Sequence, residues 1–489
     1  MDAIKSIFFN QNRAWIFVVA GLFLIFFIGL KAPVDPDFGW HLTVGRDILA
    51  NRAIPHLDPY SFTLPEFPWI SYSWLSDIFI AATEKYFGLF ILSLLFSVFS
   101  LAAFWVAARA IKAPPVYQII GALVTAILSV SVIGVRPQVF SILGLAIVLF
   151  ILLRWRQNHN TKILFWLPPV FLIWANIHPG FAMGLVLFSI FIAGCAIFAY
   201  AKMAPKLPRY KNLIISFFLS LAATFLNPYG PRIWKEIWRT SADFYGRSQL
   251  IEWQPLFKTP PSVFLPTLIL AAFLLISLFV AKKRDFLFIT LSAFFFISAL
   301  LAWRNLPLFL VASSPLLIIS FENIAGIYLT DKIKTPIVIF AIFAITFFIG
   351  WRNTKQIWLL DSNPAALAQE AQLPYAATQF LSASHLPLST NRLLNEYNWG
   401  GYILWQLPKT KVFIDGRMPH WQLPDRHIFL DYQILQAAKD IKSTNALIKK
   451  YDLNLALIRR DSPLALRLKS AGWQNIYQDA TAIILKSPH

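Results

Sequence analysis

Apolar runs close to the length of a bilayer crossing recur along this whole sequence, and no soluble fold has room for them. A helix needs about 20 apolar residues to span the hydrocarbon layer, with shorter runs tolerated. Runs near 14–31, 88–108, 115–134, 139–153, 163–177, 181–200, 213–226, 262–281, 286–302, 306–321 and 337–351 predict about eleven transmembrane helices. Of the residues, 57% are hydrophobic and only 14% charged, which excludes an ordinary soluble domain. Lys5 and Arg13 precede the first run, as in a signal peptide. It lacks a small-x-small cleavage site, so it reads as a retained helix.

The formal net charge is +19. In a soluble chain that would suggest nucleic acid, but here many basic residues fall in short loops between apolar runs, so no nucleic-acid partner is expected. Arg109 and Lys112, then Arg154, Arg156 and Lys162, then Lys202, Lys206, Arg209 and Lys211 share one side with Lys5 and Arg13. Lys282, Lys283, Arg284, Lys332 and Lys334 join them. Positive charge marks the cytoplasmic side. The expected protein is therefore a multi-pass membrane protein, its N-terminus cytoplasmic and its partner the lipid bilayer. Single Cys195 allows no disulfide within the chain and no cysteine metal site.

The opposite face then holds a first loop over 32–87, a long loop over 227–261, and short turns at 135–138, 176–180 and 303–305. In the first loop, 40–50 and 74–86 have helical spacing and read as helices lying in the membrane interface, with Pro55, Pro59, Pro65 and Pro68 between them. Hydropathy drops after 351. Residues 1–351 are thus expected to form the transmembrane domain, and 352–489 a soluble α/β domain on the outer, periplasmic face. Within that domain, helices are predicted over 365–382, 428–451 and 464–471, and strands over 411–414, 453–458, 475–477 and 481–485.

The segment Val34-Asp35-Pro36-Asp37-Phe38-Gly39-Trp40-His41 puts two carboxylates and an imidazole where a membrane helix ends. Charges at that depth are costly unless they face water, protein or a ligand. Pro36 favours an extended Asp35, and in extended chain residues two apart point the same way. Asp35 and Asp37 are therefore candidates to share a divalent cation (Mg or Mn), or for one to act as a base, with His41 one turn further on. The alternative is that Asp37 merely caps the following helix.

Arg136, Arg232, Arg239, Arg247 and Arg304 lie on the predicted outer side near helix ends. Guanidinium forks match phosphate oxygens, and Arg136, Arg232 and Arg304 are candidates to bind a lipid phosphate. Interfacial snorkelling is the alternative for each. His178 is a candidate substrate contact or a polar helix-end cap, and Trp253 a sugar-stacking platform or an interfacial anchor. In the soluble domain Trp399 and Tyr402, followed by Asp415 and Arg417, set aromatics beside charged groups as carbohydrate or peptide recognition requires. A turn-rich packing motif with Gly400-Gly401 as a tight bend is the alternative. No Walker loop, dinucleotide fingerprint or zinc motif is present.

A short leading end, one helix, then a paired-acid motif in a large first outer loop with two helices resembles the GT-C superfamily of integral membrane glycosyltransferases. Nearly the whole chain also resembles a group of bacterial polytopic membrane proteins. The shared residues are Asp35-Pro36-Asp37-Phe38 with Trp40-His41, Arg136-Pro137-Gln138, Asn227-Pro228-Tyr229-Gly230, Arg304-Asn305 with Pro307, Gly400-Gly401-Tyr402 and Ile414-Asp415-Gly416-Arg417. The C-terminal part is similar to oligosaccharyltransferase catalytic subunits, but Tyr397-Asn398-Trp399-Gly400-Gly401-Tyr402 lacks their Trp-Trp-Asp core, and only Asp243 and Glu252 offer a second outer-loop acid. The resemblance implies transfer of a sugar from a polyprenyl-phosphate-type donor to a glycan, lipid or protein acceptor on the outer face, by inverting displacement. It implies Asp37 as base, with Asp35 and His41 orienting it or holding metal. A non-enzymatic scaffold with a partner-binding outer domain, or a lipid or solute transporter, are the competing expectations.

Overall fold

A computed structural model describes residues 11–200, 210–280, 285–328, 335–384, 386–387, 392–423 and 426–488. Lys5, Lys202, Lys206, Arg209, Lys282, Lys283, Arg284, Lys332 and Lys334 lie outside the described residues. The chain divides into two compact units, one of residues 1–31, 93–231 and 247–355, the other of residues 32–92, 232–246 and 356–489.

The first unit is helical. A helix occupies each of the eleven apolar runs, from Gln11–Gly29 to Thr335–Ser362. Among the described residues four helices are long and apolar enough to cross a membrane: Trp74–Ala108, Gln138–Asn158, Pro261–Phe279 and Trp303–Asn323. Six apolar helices are shorter, including Pro115–Leu128 and Phe286–Leu301. Helix Trp74–Ala108 is broken at Gly88, whose φ of 78° no other residue adopts readily. Gln11–Gly29 packs on Pro115–Leu128, and Phe286–Leu301 on Leu306–Tyr328. Between helices, small polar groups serve as glue: Ser277 and Ser320 share a 2.7 Å hydrogen bond, and Asn353 Nδ2 donates to the Phe27 carbonyl at 2.7 Å. Phe218, Ile269, Phe279 and Phe347 stand exposed. That apolar exterior fits lipid, not water, as a solvent, and the chain is a multi-pass membrane protein.

The second unit joins the C-terminal residues to the first loop. Its sheet has the order β1 (Leu393–Asn395), β4 (Leu455–Arg459), β6 (Ala482–Lys486), β5 (Gln474–Gln478). β1 and β4 are parallel and the other pairs antiparallel. A separate two-stranded ribbon pairs β2 (Gln422–Leu423) with β3 (Arg426–His427). The apolar runs Leu455–Ile458 and Ala482–Leu485 are buried. The predicted strand at 411–414 makes only isolated bridges, through Val412 to Leu393 on one side and to Ser61 of the first loop on the other. The Asn395 side chain secures it, accepting from Phe413 N and donating to the Ile414 carbonyl, each at 2.8 Å.

Two predicted helices are split. The 365–382 segment becomes Pro364–Glu370 and Tyr375–Ala383, because Pro374 cannot continue a helix. The 428–451 segment becomes Ile428–Ala437 and Ile441–Lys450, where Ala438 is left-handed and Asp440 caps the second helix through Lys442 N and Ser443 N. In helix Phe38–Asn51 Trp40 is buried, and Gly39 and Gly401 lie so close that a Cβ on Gly39 would overlap the Gly401 carbonyl.

Candidate functional site

The acid motif is a turn rather than an extended strand. Asp35 Oδ1 accepts from Asp37 N at 3.0 Å, and the Phe38 N–H donates to the Asp35 carbonyl at 3.0 Å, with Pro36 between them. Aspartate bonding its own backbone two residues on, with proline in the turn, competes effectively with the extended form. Asp37 occupies the position before helix Phe38–Asn51 but makes no side-chain capping bond. Its Oδ1 instead accepts from Trp40 Nε1 at 3.0 Å. The capping alternative therefore does not describe this carboxylate.

His41 is held by a different acid. Its Nδ1 lies 2.6 Å from Asp77 Oδ1, and both side chains are buried. Ser73 Oγ also donates to Asp77, at 3.2 Å from Oδ2. Sequence spacing offered no reason to pair His41 with Asp77, thirty-six positions on.

Behind the acid turn sits a buried ion triad. Arg417 Nη2 lies 2.6 Å from Asp415 Oδ2, and Arg417 Nη1 lies 2.8 Å from Asp58 Oδ1. The guanidinium carbon is 4.9, 4.8 and 5.3 Å from the ring centres of Tyr60, Trp69 and Trp421. Burial alone would lower the Arg417 pKa, but Asp415 and Asp58 outweigh it and hold the guanidinium above its ordinary value. Asp58 went unrecognised in the sequence. Its signal was Asp58-Pro59-Tyr60-Ser61, an aspartate that accepts from Tyr60 N and Ser61 N.

Trp399 and Tyr402 are buried too. Trp399 Nε1 donates to the Gln372 carbonyl at 2.9 Å. Gly400 and Gly401 are the first turn of helix Gly400–Gln406, not a tight bend. They are small because Gly400 lies on Ile414-Asp415 and Gly401 on the Pro36 carbonyl. Trp399, Tyr402, Asp415 and Arg417 thus form a frame under the acid turn. Their contacts are with protein, not with an open surface.

Asp35 and Asp37 do not by themselves make a cation cage. An oxygen of each is engaged by an N–H, and among the described residues no group of three His, Cys, Asp or Glu side chains comes together. A Mg or Mn ion held by Asp35 and Asp37 would take its remaining ligands from outside these two side chains, as such ions do from substrate phosphate and water.

In the helical unit, Arg136 and Arg304 meet on one acid. Arg136 Nη1 is 2.8 Å from Glu252 Oε1, and Arg304 Nη1 is 3.8 Å from Glu252 Oε2. Burial would raise the Glu252 carboxyl, but Arg304 and then Arg136 hold it below its ordinary value. The guanidinium carbons of Arg247 and Arg304 lie 4.7 and 4.5 Å from the centre of the Trp253 ring. Trp303 fixes the segment by donating from Nε1 to the Ile251 carbonyl. Arg232 belongs to the other unit, where it is exposed as the first residue of helix Arg232–Ala242. His178 Nδ1 accepts from Gly180 N at 3.0 Å and lies 2.6 Å from Ser141 Oγ, which itself accepts from Trp174 Nε1, the arrangement of a helix-end cap.

No protein-family model matches the chain, and no curated protein does. Solved structures do. The archaeal oligosaccharyltransferase AglB from Archaeoglobus fulgidus, in complex with an inhibitory peptide and a dolichol-phosphate, aligns over 99% of this chain and 75% of its own, with TM-score 0.58 and 11% identity. The A. fulgidus enzyme tethered to an acceptor peptide containing the NVT sequon aligns over 93% of this chain and 70% of its own, with TM-score 0.55 and 10% identity. A third structure of it, with zinc and sulfate, has TM-score 0.51 at 10% identity. The chain therefore shares its fold with these archaeal oligosaccharyltransferase structures.

Proposed function

We propose that this protein is a GT-C-type glycosyltransferase that moves a sugar from a polyprenyl-phosphate-type lipid to a glycan, lipid or protein acceptor. The observation that carries the proposal is the GT-C fold along nearly the full chain, together with an acid turn whose Asp37 carboxylate is held by Trp40 rather than spent on capping. Asp37 deprotonates the acceptor hydroxyl or amine, the acceptor oxygen or nitrogen attacks the anomeric carbon, and the lipid phosphate leaves with the bond pair, inverting that centre. Asp35 holds the turn that aims Asp37. Arg136 and Arg304 take the donor phosphate in place of part of their contact with Glu252. His41 positions helix Phe38–Asn51 through Asp77. In this reading the eleven apolar helices cross a bacterial-type inner membrane with the N-terminus cytoplasmic, and residues 352–489 lie on the periplasmic face and contribute to acceptor choice.

The test is binding of a panel of polyprenyl-phosphate and polyprenyl-diphosphate sugars to the protein in nanodiscs. Saturable binding that weakens in Arg304→Ala and survives in Asp37→Asn supports the reading. Folded protein that binds no lipid-linked sugar would favour a scaffold or transporter instead.

A further inference from the structure

The Glu252 carboxylate is outnumbered by the basic groups around it. Arg136 and Arg304 share it, and two further cations, Lys31 and Arg352, adjoin Arg136 in the same helical unit. The Lys31 side chain runs along the turn that leads into Arg136. Its Nζ donates to the Val130 carbonyl, and its Cδ lies 3.9 Å from where a Cβ on Gly134 would stand. Arg352 is brought to the same helix end by Asn353, which donates to the Phe27 carbonyl four positions before Lys31. Both Arg136 and Arg352 repel the Lys31 ammonium. Among the described residues neither Lys31 nor Arg352 has an ion-pair partner: Lys31 bonds a carbonyl, and Arg352 Nε donates to the Asn353 amide oxygen at 3.3 Å. Arg304 meets Glu252 at 3.8 Å, beyond hydrogen-bond reach, and its guanidinium donates to nothing else among the described residues. In the orientation read above, this group lies on the outer face, where lysine and arginine are ordinarily scarce. Cations that repel one another there, with N–H donors unspent, match an anion of more charge than one carboxylate supplies.

We infer that the lipid-linked sugar is carried on a diphosphate, and that Lys31 and Arg352 form the subsite for its second phosphate. A sugar joined to the lipid through a single phosphate is a phosphodiester with one negative charge, which Arg136 and Arg304 suffice to hold. A diphosphate linkage carries two such charges on adjacent phosphorus centres. One phosphate accepts from Arg136 and Arg304, and the other from the remaining Lys31 N–H groups and the Arg352 fork. Arg136 adjoins both positions. The assignment rests on the donor site proposed above.

The experiment is binding of undecaprenyl-diphosphate N-acetylglucosamine and of its undecaprenyl-monophosphate counterpart to the protein in nanodiscs, at one salt concentration. Wild type binds the diphosphate form about tenfold more tightly. Lys31→Gln/Arg352→Gln brings diphosphate binding down to the monophosphate level. Arg352→Gln alone, at an exposed position, gives part of that loss, which keeps the test open should the double variant fold poorly. Lys355→Gln, exposed and three positions further along the same helix, keeps the full preference. Equal binding of the two forms, both weakened by Arg304→Ala, would overturn the diphosphate assignment and leave the donor site standing. A preference that survives Lys31→Gln/Arg352→Gln would overturn the subsite. Equal loss in Lys355→Gln would do the same, by reducing the effect to general surface charge. Folded protein that binds neither form would remove the donor site itself and the assignment with it.

Discussion

Gly416 lies so close to Asp37 that a Cβ built on it would overlap Asp37 Oδ1 and stand 3.3 Å from Trp40 Nε1. The residues flanking Gly416 are Asp415 and Arg417, both locked in the buried triad with Asp58. A carboxylate of the first loop is therefore seated against a rigid turn of the C-terminal chain. Gly416→Ala must push Asp37 off its position while leaving the triad intact. Displacing a reacting group by about 1 Å costs roughly 100-fold in rate. Transfer activity should fall by that order with only a small change in the melting temperature; an active Gly416→Ala enzyme would show that the seat is irrelevant to the chemistry.

Arg417→Met should be severely destabilising, because it strands Asp58 and Asp415 as uncompensated buried charges. Breaking such a pair costs about 3–5 kcal/mol. Arg417→Lys should rescue little, since an ammonium cannot reproduce both forked contacts or lie flat among Tyr60, Trp69 and Trp421. Hydrogen exchange across 58–69 and 412–421 reads the loss directly.

His41→Asn should act on stability before it acts on rate. The imidazole is committed to Asp77 at 2.6 Å, and that carboxylate is fully buried. Losing one partner of a buried charged hydrogen bond costs about 1.5–3 kcal/mol. Per folded molecule, the maximal rate should stay near wild type. A rate loss as deep as that of Asp37→Asn, in protein that melts normally, would return His41 to the catalytic group.

The His420–Asp243 pair, 2.7 Å apart, gives the second unit a defined acid response. Burial lowers the His420 pKa against the pull of Asp243. Burial would raise Asp243, but the Gly246 N–H and then His420 outweigh it and lower it. Both groups hold protons more weakly folded than unfolded, so the unfolded chain takes up protons first as pH falls. Protection of 232–246 and 418–421 against exchange should be flat above the ordinary histidine value of 6.5, decline below it, and decline again below the ordinary carboxyl value of 3.8. His420→Gln should remove the upper decline and leave the lower.

The helices were legible because a membrane span announces itself in local composition: each apolar run carries a helix. Asp35 and Asp37 stood out for the same local reason, as charge where charge is costly. What the sequence did not reveal depends on contacts between distant positions. Nothing near Arg417 points to Asp58, 359 residues away. Nothing at Val412 says that it pairs with Ser61. Gly400-Gly401 read as a bend because glycine's freedom is visible in sequence, whereas its smallness at a helix–loop contact is not. Pro374 and Asp440 were legible stops that the longer apolar periodicity overrode.

The most direct test of the account is transfer by purified protein in liposomes, with a labelled polyprenyl-phosphate sugar as donor and cell-envelope lipids, glycans and peptides as acceptors, wild type beside Asp37→Asn. Asparagine keeps an oxygen for the Trp40 N–H but cannot take a proton at neutral pH. The account predicts sugar transfer by wild type, and in Asp37→Asn unchanged donor binding with transfer reduced by at least about 100-fold. Undiminished transfer by Asp37→Asn would contradict it.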